Sequence, residues 1–152
     1  MHNMSLKPGR RTPRSQRGVV LLDAIVAILL FSVGIVGMVA LQGAATKLAG
    51  DAKLRTDAAM AADQVIAQMW VSDPTQLAAY FQSPGGAGYK AWAATVTNVT
   101  AHQGLPGAAG HPPTINVTTD PNGGNAVTVS VFWQAASDTG THQYVTSTHI
   151  AH

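Results

Sequence analysis

The chain is predicted to be an α+β protein in which one long N-terminal helix, transmembrane over its first half, packs against a small C-terminal antiparallel β-sheet. Three observations carry that reading. Residues 19–41 are apolar apart from Asp23, residues 42–71 are alanine-rich with apolar positions three and four apart, and the last third alternates apolar and polar residues around a glycine-rich turn. At 152 residues the chain is long enough for one ordinary domain.

The helix begins after a basic leader. Lys7, Arg10, Arg11, Arg14 and Arg17 place five of the nine basic residues in the first 18 positions, and the remainder holds four Lys or Arg against seven Asp. No basic face is left there to neutralise phosphates, which excludes nucleic acid as a partner. Without cysteine the chain has neither a disulfide framework nor a thiolate site.

Residues 19–41, as a helix rising about 1.5 Å per residue, reach about 34 Å, enough to cross a hydrocarbon core of about 30 Å. Positive charge precedes the run and none lies within it, so the N-terminus is expected in the cytoplasm and everything after Leu41 across the membrane. Asp23 is the anomaly. An ionised side chain on a membrane helix costs about 2.5–3.5 kcal/mol at the bilayer centre, so one that persists needs a partner or a task. Three readings compete. A secretory signal peptide would have a shorter apolar core, of about 7–15 residues, with Gly43-Ala44-Ala45 as its cleavage site. A plain signal anchor explains the length but not the charge.

The third reading is a resemblance. Arg17-Gly18 followed by VVLLDAIVAILLFSVGIVGMVALQ resembles the class III signal of type IV prepilins and type II secretion pseudopilins. In those proteins a basic leader ends in glycine, the apolar helix follows at once, and an acidic residue stands fifth after the cut. Here Asp23 stands where the family usually has Glu, and Val19 where Phe or Met is commoner. SVGIVGMVALQ, residues 32–42, is most similar to PilV-type minor pilins. The resemblance implies cleavage between Gly18 and Val19, N-methylation of Val19, and an assembly role for Asp23. Chemistry agrees with it: glycine presents no side chain to obstruct a peptidase, and the cut frees an α-amine one helical turn from the carboxylate.

Residues 1–18 are thus expected to be a cleaved cytoplasmic leader, 19–71 the long helix, and 72–152 an exported globular α+β part. Beyond the membrane, Leu41, Ala45, Leu48, Ala52, Ala59, Ala62, Ile66 and Met69 form a helical stripe on which Arg55 is the one misfit. Nine alanines between residues 44 and 70 favour the helix. Gly34, Gly37 and Gly50 weaken it locally. Asp73-Pro74, with Gln76 following, is an N-cap and first-turn proline for a short helix to about residue 82. Residues 83–88, SPGGAG, end it. Residues 89–103 combine helical spacing of Trp92, Val96 and Val99 with a Thr and Val content that favours strand. Similarity of Trp92 and Leu105-Pro106-Gly107 to the same region of PilV-type pilins points to helix. Residues 115–119 and 126–134 read as a hairpin, with Val127, Val129, Val131 and Trp133 on one face, and THQYVTSTHI as a third strand. Trp92 and Trp133 are the predicted core aromatics.

Other sites are weaker. His142 and His149 are an odd number of positions apart on one strand, so they face opposite ways, and His102 and His111 fall in or beside a loop; no metal site is expected. Asp120, Asn122 and Asn125 resemble calcium ligands but lack a bidentate Glu, and turn chemistry explains them. Asn98-Val99-Thr100 and Asn116-Val117-Thr118 fit short glycosylation acceptors. No phosphate loop, cofactor motif or activated nucleophile is recognisable. The expected protein is a non-enzymatic minor pilin, without cofactor. It would be cut by a prepilin peptidase, held in inner-membrane lipid with its C-terminal part in the periplasm, and packed with other pilin subunits by the assembly machinery of a type IV pilus. A type II secretion pseudopilin shares the first third of the pattern, and a single-span anchored binding protein that never polymerises is the alternative of another class.

Overall fold

The computed structural model describes residues 17–101, 104–121, 123–136 and 138–151. Residues 1–16, which fall in the expected leader, and His102, Gln103 and Asn122 lie outside the described residues. Helix α1, Arg17–Trp70, is followed by a 3₁₀ turn at Pro74–Gln76, α2 at Leu77–Phe81, α3 at Ala87–Thr97 and a second 3₁₀ turn at Val99–Ala101. Strands β1, Thr114–Thr119, β2, Asn125–Trp133, and β3, His142–Ile150, complete the chain. This is the α+β arrangement that the sequence predicts, one long N-terminal helix and a three-stranded antiparallel sheet. By its contacts the chain divides into two compact units, Met1–Thr46 and Lys47–His152, and α1 contributes to both.

In the second unit α1 buries Ala58, Ala62, Val65 and Met69, at spacings of four, three and four, in the core shared with the sheet. The predicted stripe is therefore corrected. Ala62 and Met69 belong to it, Ala59 and Ile66 are half-buried beside it, and Leu41 and Leu48 are about 70% exposed. Both lines satisfy a period of 3.6; packing against the sheet selects the one through Ala58 and Val65.

Asp73 caps the first short turn as its sequence suggests, its Oδ1 accepting from the backbone N–H of Thr75 at 2.9 Å. Leu77 and Phe81, one turn apart, carry α2 into the core. Gly86 and Gly88 permit the close approach of α3, because a Cβ on either would overlap Tyr80 or Phe81. Helix α3 buries Tyr89, Trp92 and Val96, and the Trp92 indole N–H donates to Ala61 O of α1 at 2.9 Å. It stops at Thr97 rather than near residue 103. Leu105 N–H donates to Val96 O at 2.8 Å and Gly104 N–H to Asn98 O at 3.1 Å, which turns the chain back and buries Leu105 where Val99 was expected. Val99 is 53% exposed.

The sheet has the order β1-β2-β3. Its hairpin turns through Asp120 and Gly124, with Gly123 and Gly124 at φ near +100°, a region that glycine adopts without penalty. Ile115 pairs with Val129 and Val117 with Val127, and on the other side Val131 pairs with Tyr144 and Trp133 with His142. Along β2 every second residue from Asn125 to Trp133 is buried, so the alternation read from sequence is the core face of the sheet.

Candidate functional site

Two places in the chain combine polar groups with a setting that calls for explanation. One is the start of α1. Every side chain from Gly18 to Gly50 is exposed, with Val19 at 73% and Phe31 at 70%, and the apolar residues go all the way round the helix. Such a surface is stable in lipid rather than in water. The helix is long and apolar enough to cross a membrane by length and composition. Its one hydroxyl within the apolar run, Ser32, donates to Ile28 O at 2.7 Å, so that polar hydrogen is satisfied within the helix itself.

Asp23 is the one charge in that run and makes no ion pair among the described residues. It lies four positions after Val19, and side chains so spaced on a helix have Cβ atoms about 5–6 Å apart. The junction of Gly18 and Val19 falls in the first turn of α1, whose backbone N–H groups have no partners within the helix and which frays most readily. Among the described residues nothing lies within 4 Å of where a Gly18 Cβ would stand, so none of them requires glycine there by packing.

The other place is the connection between β2 and β3. The Asp138 carboxylate, 12% exposed, receives the Lys47 ammonium at 3.3 Å and the His142 ring nitrogen Nε2 at 2.9 Å. The hydrogen bond from His142, then that from Lys47, holds its pKa below the ordinary value of 3.8. His142 also stacks on Trp133, ring centroids 5.7 Å apart. Trp133 and Trp92 are both buried, at 6% and 4% exposure. Sequence reading missed Asp138, because no local pattern around it announces partners on α1 and β3. It also assigned Asn125 to turn chemistry, whereas its side chain is buried, donates to Pro74 O at 2.9 Å and accepts from Thr119 Oγ1 at 3.3 Å.

The histidines stay apart. His142 meets Asp138, while His149 is 3.8 Å from Asp120. Among the described residues no group of three or more potential metal ligands is assembled. A groove of about 610 Å³ between α1 and α3 has Lys53 and Asp57 on its wall, paired with each other at 2.6 Å, and the Thr95 hydroxyl bonded to Ala91 O. Asn116 of the second acceptor triplet sits in β1, its Oδ1 taking a hydrogen bond from Gln82. Comparison with protein-family models, with curated proteins and with solved structures finds no match to this chain.

Proposed function

We propose that this chain is a non-enzymatic pilin-like subunit, a minor pilin of the PilV type. On this reading it is processed between Gly18 and Val19, methylated on the new Val19 amine, and packed through α1 into a type IV pilus or its initiation complex. The observation that carries the proposal is the spacing of Arg17-Gly18, an unbroken apolar helix and Asp23 fifth after the junction. Two further facts support it. Among the described residues nothing packs where a Gly18 Cβ would stand, and Asp23 has no ion-pair partner until an amine is freed one turn away. Before assembly, the exported part stands in the periplasm and the apolar run in the inner membrane.

The test is the mature N-terminus, read by mass spectrometry after expression with a prepilin peptidase. A product beginning at a methylated Val19 is expected, and Gly18→Leu should leave the full-length precursor in the membrane. Retention of the leader by the natural sequence, or loss of it from the Gly18→Leu variant, overturns the processing site. Recovery of the processed chain in sheared surface fibres identifies the pilus; a requirement for it in exoprotein secretion, without such fibres, identifies the type II apparatus.

A further inference from the structure

Two stretches carry the Asn-X-Thr pattern, and the fold presents them in opposite ways. Asn116-Val117-Thr118 lies within β1, paired residue by residue with β2. Val117 is 8% exposed, its N–H donates to Gln82 Oε1 at 2.7 Å, and Asn116 Oδ1 accepts from Gln82 Nε2 at 3.3 Å. Residues two apart on a strand are separated by about 6.4–6.8 Å. The Thr118 hydroxyl accordingly makes no hydrogen bond to Asn116.

Asn98-Val99-Thr100 instead forms the turn that ends α3, and all three residues are exposed. Here the chain folds back on the asparagine. The Thr100 N–H donates to Asn98 Oδ1 at 3.2 Å, and the Thr100 hydroxyl donates to the same oxygen. Among the described residues none accepts a hydrogen bond from Asn98 Nδ2. The backbone is held by Gly104, whose N–H donates to Asn98 O at 3.1 Å and whose approach leaves no room for a Cβ. The same pair of bonds caps the first 3₁₀ turn, where Thr75 N–H and hydroxyl both donate to Asp73 Oδ1. Capping therefore explains the conformation at both places. Only at residue 98 does the cap also carry an amide nitrogen, open to solvent and followed by the required threonine.

We propose that Asn98 is an acceptor for N-linked glycosylation, taking an oligosaccharide from a polyprenyl-diphosphate-linked donor. In the transfer Nδ2 forms a bond to C1 of the sugar. The C1–O bond to the diphosphate breaks and its electron pair leaves with the diphosphate, while one Nδ2 proton passes to a base of the transferase. A carboxamide nitrogen is a poor nucleophile because its lone pair is shared with the carbonyl. As the proton leaves, negative charge moves onto Oδ1. Two donors already aimed at that oxygen stabilise the charge, as preorganised donors do in an oxyanion hole. Asn116 has one such donor, from Gln82, and its triplet is held extended in the sheet. In the cell the reaction further rests on the reading that residues after Leu41 are exported, to the face where the transferase works.

The test uses the full chain in micelles, a single-subunit oligosaccharyltransferase that recognises the Asn-X-Thr triplet, and synthetic polyprenyl-diphosphate chitobiose as donor. Mass spectrometry of the intact chain and its peptides should find one glycan, on Asn98, and none on Asn116. A synthetic peptide of residues 112–121, freed from the sheet, should be modified at the second triplet. Asn98→Asp keeps the capping oxygen, so it should unfold at the wild-type midpoint yet take no glycan. Thr100→Val should lower the transfer rate by about a hundredfold or more, and Thr100→Ser should restore most of it. An unmodified Asn98 under conditions that modify the peptide overturns the proposal. Modification of Asn116 in the folded chain, or equal transfer to Thr100→Val, does so too. Cells carrying the same transferase on the exported face separate the two readings: a chain modified in micelles but not there keeps Asn98 as an acceptor and overturns the exported placement instead.

Discussion

Met38 and Met69 lie on the same helix, yet Met38 is 66% exposed and Met69 fully buried. The first belongs to a stretch whose apolar side chains surround the helix and stay uncovered. The second belongs to a line of four small and aliphatic residues covered by a sheet. One continuous secondary element thus carries two apolar patterns, one long enough to cross a membrane and apolar on all sides, the other a line covered by the sheet. The first half leaves all its side chains exposed, the carboxylate included. The second half supplies the floor on which three strands and two short helices close.

The largest expected effect breaks that comparison at its charged point. If Asp23 meets an N-terminal ammonium, its own or a neighbour's, charge matters more than reach, because a lone buried charge is penalised far more than a paired one. Asp23→Ala should be cut and remain in the membrane, yet be absent from fibres, while Asp23→Glu should be recovered in them. Desolvation makes the alanine variant easier to insert, so its loss cannot be a failure of insertion. Equal recovery of wild type, Asp23→Ala and Asp23→Glu at equal membrane levels would leave Asp23 as a mere boundary of the apolar run.

The two methionines give the next test. Met69→Ala should destabilise the unit of residues 47–152 by about 2–5 kcal/mol, the range for removing a buried side chain of that size. Met38→Ala should leave the unfolding midpoint of that unit unchanged, since the exposed Met38 side chain is no part of its core. Thermal unfolding of the full chain in micelles, followed by tryptophan fluorescence from Trp92 and Trp133, measures both. A comparable loss from Met38→Ala would mean that the two halves of α1 do not answer separate environments.

Smaller again is Tyr89→Phe. The Tyr89 hydroxyl donates to Pro113 O at 2.8 Å within the core, and burial raises its pKa above the ordinary 10.0, which keeps it a donor. Removing it leaves a buried carbonyl without that donor, at a cost of about 1–3 kcal/mol. The same unfolding measurement should place this variant between Met69→Ala and wild type.

Legibility follows the range of the interaction. The face of Val127, Val129, Val131 and Trp133 was readable because a strand repeats every two residues, a spacing that would scatter the same side chains around a helix. The capping of Asp73 was readable because its partner, Thr75, is two residues away. On α1 the buried type was readable but not its line: Ala58 and Ala59, or Val65 and Ile66, are chemically alike, and only the sheet decides between them. Leu41 and Leu48 show the same ambiguity from the other side, since periodicity marks an apolar stripe without saying whether the chain itself covers it. Asn125, bonded 51 residues away as well as to Thr119, and Asp138, held by Lys47 on α1 as well as by His142, depend on tertiary partners that no local pattern contains.

The smallest effect expected is at Asp138, and its sign is set by the direction of the pKa shift. Its folded-state pKa lies below the value of 3.8 that an unperturbed carboxyl has, because His142 and Lys47 donate to the charged form. The unfolded chain therefore binds this proton more readily than the folded one, and the contribution to stability is present above that ordinary value and is lost as pH falls through the folded value. Both donors are about half-exposed, so solvent and salt screen them and the gain is modest. Asp138→Asn should lower the unfolding midpoint slightly at neutral pH, and the gap to wild type should close as the solution is acidified below the carboxylate range. Added salt should narrow the gap at neutral pH as well. Met69→Ala, whose loss is one of packing, should show neither dependence. A gap for Asp138→Asn that persists unchanged in acid would assign its role to hydrogen-bond geometry rather than charge, and would remove electrostatics from the list of forces that hold the β2–β3 connection to α1.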